Sequence, residues 1–394
     1  MNKRPHLLLA LSSHGFGHLS QAAPIVNQLR SLMPELRITV RGHFPTEQIK
    51  RRIFEPDAIE PIADDFGMIM HHALSVDTEA SLATYLEAHQ NWPEKVAALT
   101  AHLKELEVDL VLSDIPYLTL AAAHHAGIPG VALCSLNWAD ILEHYLFKSA
   151  SHDDKRSPLH DSGDMRDSAL ETSLIETIRL SYQSAEYFLQ PAPSMEMPLL
   201  TNTLAIGPVC TPGTNRRSML AANIDLPEDA YTVLVGMGGV NYPLSLESWP
   251  ALFSHKPIFY LVHEDHLLDH TASRNATVNT IAIEQTGLTY SDLVASVDLI
   301  ITKPGYGMFV EAAAAGVPVL FVERPGWPEA PALTDWLQSV AHCAEIDTET
   351  LQQGSFTREL TQLLTQGPYI PVPPSGNLQA AQLLQRMLMH TEAN

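Results

Sequence analysis

The 394-residue chain is poor in cysteine, in basic side chains and in long apolar runs. Its three cysteines, Cys134, Cys210 and Cys343, are scattered, odd in number and form no CxxC. That excludes a disulfide framework or a thiolate zinc site and fits a reducing, cytoplasmic setting. Lys and Arg total 23 against 45 Asp and Glu, for a net charge of −22. So acidic a chain offers no broad basic face to nucleic acid or to an anionic membrane. One phosphate bound locally by backbone amides is still allowed. No apolar run reaches the ~18 residues of a membrane span. The opening MNKRPHLLLALSSHGFGH ends its short apolar run in His and Gly, with no small-residue cleavage pattern. It reads as a first strand and not as a signal peptide. Histidine is plentiful at 19, yet no HExxH-like spacing appears. The adjacent pairs His71-His72 and His124-His125 would point ~100° apart on a helix and cannot share a metal face. No metal site is expected.

What the chain does have is alternation. Short β-branched runs at 6–13, 37–42, 108–114 and 128–135 are nearly continuous in apolar residues, as in a parallel sheet covered on both faces. Helical stretches lie between them: Ala22, Ile25, Val26 and Leu29 share one face, and 78–107 reads as a long helix broken near Pro93. Residues 149–170 are polar and charged, and read as a surface loop. The Gly-, Pro- and Asn-containing stretch 202–220 marks a linker, and the pattern then restarts with strands at 231–239, 257–263, 297–303, 317–323 and 341–346. The expected fold class is α/β, with two Rossmann-like domains facing across a cleft. The division is 1–205, a linker at 206–225, 226–375, and a C-terminal helix at 376–394 that returns to the first domain.

Each half opens on a strand that ends in glycines. In an open parallel sheet, ligands bind beyond the carboxyl ends of the strands. SSHGFGH puts Gly15, Gly17 and His18 there. Glycines admit a ligand to the backbone, the next helix offers free N–H groups, and a histidine can act as a base near neutral pH. A tight turn with a capping histidine explains the same residues, and the spacing is not GxGxxG. VGMGGV supplies Gly236, Gly238 and Gly239, either as a phosphate loop or as a plain turn. In TKPGYGMFVEAAAAG, Lys303 and Gly305 end a strand, and Gly305 to Gly307 open a helix carrying Glu311 two turns in. A carboxylate in so apolar a helix suits the two hydroxyls of a ribose. Asp114, at the tip of DLVLSD, orients His18, binds an acceptor or caps the next helix. In LNWADILEHY, Asn137, Trp138 and Asp140 follow another strand, where Trp138 lines a sugar site or fills the core.

With these motifs the chain resembles nucleotide-sugar glycosyltransferases of the GT-B fold, in the family 28 group. KPGYGMFVEAAAAGVPVLFV is similar to their donor signature and HGFGH to their first glycine loop. Over more motifs it is similar to the amino-terminal domain of plant L-arabinokinase-type proteins, in HGFGH, the SD after a strand, LNWADILEHY and the K-x-GYG-x-x-x-E segment. No kinase-type glycine-rich motif follows, so a counterpart of their sugar-kinase half is not expected in this sequence.

The resemblance implies a hexosyltransferase that uses a nucleotide-diphosphate sugar, with UDP the expected nucleotide, as substrate and no tightly bound cofactor. Glu311 would hold the ribose. Gly236, Gly238 and Gly239 would lie near the diphosphate, with Lys303, Gly305, Tyr306 and Gly307 at a second phosphate-side turn. His18, with Gly15 and Gly17, would face acceptor and diphosphate, and Glu329 and Asp335 would fall at the donor sugar. These last two depart from the usual Gln-rich or Asp-Gln pattern, which leaves the sugar open. The expectation is metal-independent transfer to an unidentified acceptor, with His18 as base, Asp114 behind it, and Asn137, Trp138 and Asp140 on the acceptor side. A monomer or homodimer is expected. A nucleotide-sugar-binding or regulatory protein without transfer, and a UDP-sugar 2-epimerase-like enzyme, are the alternatives.

Overall fold

The computed structural model describes residues 4–148, 165–238, 242–265, 278–367 and 369–391. In the first half the strands are β1 (His6–Leu11), β2 (Arg37–Arg41), β3 (Ala58–Glu60), β4 (Met70–His72), β5 (Ser75–Val76), β6 (Leu110–Asp114), β7 (Gly130–Leu133), β8 (Tyr187–Pro191) and β9 (Thr203–Ile206). Apart from the small β4-β5 hairpin they form one parallel sheet, in the order β3-β2-β1-β6-β7-β8-β9. Both faces are buried, which is why β1 reads as unbroken apolar sequence. Leu7, Leu9 and Leu11 join the core under the helix Phe16–Leu32, and Leu8 and Ala10 join Leu99 and Leu103 on the other side. Each fully buried leucine contributes about 1.5–3 kcal/mol.

The second half repeats the scheme with β10 (Tyr231–Gly236), β11 (Leu252–Phe253), β12 (Lys256–Val262), β13 (Asn279–Ala282), β14 (Leu299–Thr302), β15 (Val319–Val322) and β16 (Cys343–Ile346). The order is β11-β12-β10-β14-β15-β16, with β13 also pairing β12, and all pairs are parallel except β11 with β12. The helix Gly376–Thr391 crosses back, and its Ala380, Ala381, Leu384 and Leu388 lie in the core of the first half.

This topology places the site. From β1 the chain goes to β2 on one side and later to β6 on the other, so the crevice between the tips of β1 and β6 is a switch point. The register pairs Leu11 with Asp114, which sets the SSHGFGH segment beside Asp114. In the second sheet the switch lies between β10 and β14, where Gly236 pairs with Thr302, next to Lys303.

Some boundaries move. The helical stretch at 78–107 is two helices, Thr78–Ala88 and Trp92–Glu105, with Asn91 left-handed (φ 55°) between them and Pro93 in the first turn of the second. The stretch read as a linker from 202 begins as β9, and Arg217–Asn223 is a helix whose Leu220 is buried in the second half. Glycine and proline around these short elements hid them. Of the surface loop at 149–170, residues 149–164 lie outside the described residues, and 165–170 open the helix Met165–Gln183.

Candidate active site

His18 sits in the first turn of the helix Phe16–Leu32, just after the glycine tip, and Asp114 is the last residue of β6. His18 Nδ1 lies 2.9 Å from Asp114 Oδ1, with both groups buried. A carboxylate acceptor requires a proton on Nδ1, leaving Nε2 as the acceptor nitrogen. Asp114 contacts the histidine and does not cap the next helix. The helix Tyr117–Ala126 begins with no side-chain cap. Burial disfavours the imidazolium, but the hydrogen bond and charge of Asp114 outweigh it and raise the His18 pKa above the ordinary value. Burial pushes the Asp114 carboxyl up to about 6, with His18 opposing. Cys134 Sγ lies 3.9 Å from the same ring nitrogen. The ligand atoms of His18, Asp114 and Cys134 fall within 4.8 Å of one another. Burial holds the Cys134 thiol well above its usual range.

Aromatic rings enclose this pair. Trp138 is fully buried, with its ring centroid 5.9 Å from His18 and 5.1 Å from His14. Its Nε1–H donates to Asp65 Oδ2 at 2.9 Å, and Ser13 N–H donates to the other oxygen at 3.2 Å. His14 Nδ1 accepts from Met68 N–H at 3.3 Å. Burial, then the charges of His18, Arg324 and Lys303, push the His14 pKa down to about 3, so its ring is neutral. Gly67 has φ +69°, and a Cβ there would sit 2.6 Å from the His14 ring, so only glycine fits.

The second half supplies the other wall. Gly238 is left-handed (φ +84°), and a Cβ on it would come within 3.4 Å of the Lys303 side chain. Gly305 is the extended N-cap of the helix Tyr306–Ala315, whose first N–H groups are free of helix partners. Glu311 is buried and, among the described residues, accepts no hydrogen bond. Burial pushes its carboxyl up to about 7, with Arg52 opposing. Lys303 likewise makes no ion pair among the described residues, and burial followed by the nearby Arg324 guanidinium pushes its ammonium down to about 7. Gly239 lies outside the described residues.

The two walls touch. Ser135 Oγ–H donates to Glu329 Oε1 at 2.6 Å, and Trp327 Nε1–H donates to Glu329 Oε2 at 3.0 Å. Trp327 stacks on His14 with planes 4° apart and centroids at 6.1 Å. A Cβ on Gly307 would meet Ser20 of the first helix at 3.6 Å. Nothing lies within 4 Å of a Cβ built on Gly15 or Gly17, so this tip faces open space.

Not every expected residue joins them. Asn137 caps the helix Trp138–Glu143, accepting from Asp140 N–H at 2.9 Å and donating to the Asp140 carboxylate at 2.8 Å. Both polar groups are thus spent on the turn. Asp335 is exposed on the face of the helix Ala330–Val340 opposite the buried Leu333 and Leu337, away from the cluster. Tyr306 turns its hydroxyl inward, accepting from Val209 N–H at 2.9 Å and donating to Ala192 C=O at 3.3 Å. Its side chain is a strut between the halves, and only its backbone faces the helix tip. Conversely, Asp65, Gly67, Ser135, Trp327 and Arg324 belong to the cluster without a sequence motif of their own, and His14 lies inside SSHGFGH with no role given to it by the motif. Their common signal is position: each lies just past a strand end or in the loop that follows one.

No protein-family profile matches the chain. It is 23% identical over 384 residues to an L-arabinokinase of Arabidopsis thaliana, covering 96% of the chain but only 34% of that protein. The chain therefore spans about a third of the relative's length. Among solved structures it is similar to the glycotransferase of kitacinnamycin, with a TM-score of 0.61, 16% identity and coverage of 99% and 96%. It is also similar to a UDP-glucosyltransferase from Polygonum tinctorium that glucosylates indoxyl (TM-score 0.57, 13% identity, coverage 100% and 94%). A UDP-glucose:anthocyanidin 3-O-glucosyltransferase solved with UDP gives a TM-score of 0.54 at 16% identity, with coverage of 100% and 94%. At such identities the likeness is one of fold, and it runs the length of the molecule: the chain has the two-domain glycosyltransferase fold, with its switch points facing each other.

Proposed function

We propose that the protein transfers a sugar from a nucleoside diphosphate sugar to an acceptor hydroxyl. The observation that carries this reading is the His18–Asp114 pair, 2.9 Å apart, set across a cleft from two unpaired cleft groups, Lys303 and Glu311. The acceptor oxygen attacks the anomeric carbon and gives its proton to His18 Nε2. The bond from that carbon to the diphosphate oxygen breaks, and the electron pair leaves on the diphosphate. Asp114 fixes the tautomer and stabilises the imidazolium as it forms. The leaving diphosphate is met by Lys303 and by the free N–H groups opening Tyr306–Ala315, with Gly15 and Gly17 leaving it room at the facing tip. Glu311 takes the two ribose hydroxyls. The solved neighbours crystallised with UDP make uridine the first base to try.

Isothermal titration with UDP, dTDP and GDP, followed by product analysis with the matching sugar nucleotides and an acceptor panel, tests the reading. Binding of one nucleotide and formation of a glycoside are expected. Binding without turnover supports a sugar-nucleotide sensor, and an epimerised sugar nucleotide supports the epimerase alternative. If no nucleotide binds, the reading is wrong.

A further inference from the structure

Three arginines of the described chain are buried almost equally, Arg41 at 8% exposure and Arg179 and Arg324 at 9%. Two are paired. Arg41 meets Asp64 at 2.6 Å and Glu60 at 2.7 Å, and Arg179 meets Asp140, Glu176 and Glu143 at 3.4, 3.4 and 3.6 Å. Arg324 makes no ion pair and no side-chain hydrogen bond among the described residues. Its guanidinium lies flat over the Trp327 ring, 3.9 Å from the centroid. Stacking covers the face of the cation, and its N–H edge has no acceptor among the described residues, with the charge of Glu329 opposing the cost of burial. That edge is not sealed off, so an anion in the cleft can reach it.

The anion's position follows from the loop that carries Arg324. This loop leaves β15 and ends at Glu329, whose two oxygens are already taken by Ser135 and Trp327. Through Trp327 it stacks on His14, beside the His18–Asp114 pair. The neighbouring strand β14 is followed by Lys303 and the helix N-terminus, the elements assigned above to the diphosphate. The reacting carbon must lie between that diphosphate and His18, so the loop of Arg324 borders the sugar. A planar fork of two N–H groups matches a carboxylate or a phosphate equally, and it is the place of Arg324 on the β15 loop, beyond the diphosphate groups that follow β14, that puts it on the sugar side.

We propose that the transferred sugar carries a carboxylate, so that the donor is a nucleoside diphosphate uronic acid and Arg324 is the residue that receives the acid group. This rests on the donor-binding reading above. The test is titration calorimetry on the full chain with UDP, UDP-glucose, UDP-glucuronate and UDP-galacturonate, or the same series on whichever base binds. The wild type and Arg324→Gln are compared, with Arg324→Lys as a second variant that keeps the charge and loses the fork. A uronate donor is expected to bind about tenfold or more tightly than its neutral counterpart. The preference should vanish in Arg324→Gln, return in part in Arg324→Lys, and leave the affinity for UDP itself unchanged. Equal binding of neutral and uronate donors, with UDP binding intact, overturns the inference and leaves the nucleotide reading standing. So does an equal loss for UDP in Arg324→Gln, which gives Arg324 to the diphosphate. So does a loss seen only with carboxylate-bearing acceptors. Failure of every nucleotide to bind removes both readings.

Discussion

The two walls of the cleft are built on one topology but are in opposite states of satisfaction. On the first wall the ionisable groups have protein partners, with Asp114 Oδ2 and Ser13 Oγ left over: His18 has Asp114, Asp65 has Trp138 and Ser13, and His14 has Met68. On the second, Glu311 and Arg324 are buried and Lys303 is half-buried, and none of the three side chains has a hydrogen bond among the described residues. A wall with internal partners holds its geometry whether or not a ligand is present, as proton transfer requires. A wall without them stores the cost of desolvation and recovers it only when a ligand supplies the missing charges. The comparison therefore separates chemistry from binding by wall.

Substitutions can break that separation, and the largest effect belongs to the first wall. His18→Ala should lower the turnover of transfer by about 10²–10⁴ while leaving nucleotide affinity unchanged. A comparable loss of affinity would show that the walls share the task. The pH profile sharpens the point. A protonated imidazole cannot accept a proton, and the His18 pKa is raised, so the acid limb of kcat/KM should fall above the ordinary histidine value of 6.5. Asp114→Asn removes the largest raising influence and leaves burial against the lesser pull of Asp65 and Glu329, so the limb should move to lower pH as turnover drops. Next in size, Glu311→Ala should weaken nucleotide binding about tenfold to a hundredfold, the loss of hydrogen bonds to a charged group, as read by calorimetry.

Lys303 comes third. With its ammonium pushed down to about 7, it must take up a proton to meet a diphosphate at higher pH. Its contribution makes affinity fall by up to about tenfold per pH unit above 7. Glu311, pushed up to about 7, works the other way, since it must ionise. The difference between wild type and Lys303→Met isolates the lysine, and calorimetry in buffers of different ionisation heat should show proton uptake in the wild type alone. Smaller still, Tyr306→Phe leaves the buried Val209 N–H without its acceptor, and should cost about 1–3 kcal/mol in denaturant unfolding with little effect on the chemistry. At the bottom of the scale, Asp335→Asn, exposed and remote, should stay within about 0.5 kcal/mol and leave donor binding alone.

The sequence disclosed the frame better than the polar network inside it. Strand ends bearing glycines are local signals, so the tips at Gly15, Gly238 and Gly305 were legible, as was the unusual Glu311 in an apolar helix. Pairing is not local. His18 and Asp114 are 96 residues apart, and only the β1–β6 register decides between orienting a histidine and capping a helix. The same limit explains the errors. Asn137 and Asp140 follow a strand as site residues do, yet they satisfy each other within four residues. Asp335 and Glu329 look equivalent in sequence, but helical phase turns one outward. Asp65 and Arg324 gain their meaning from the indole rings of Trp138 and Trp327, which no spacing rule announces.

The returning C-terminal helix has one more consequence. The chain passes between the halves twice, near 207–209 and again near 375–376, and the two passages lie side by side: Gly376 N–H donates to Pro208 C=O at 3.0 Å, and a Cβ on Gly376 would strike Val209 at 2.7 Å. A side chain at 376 would press on the Gly207 carbonyl and on Val209 at once, so this one glycine is what lets the two crossings run in contact.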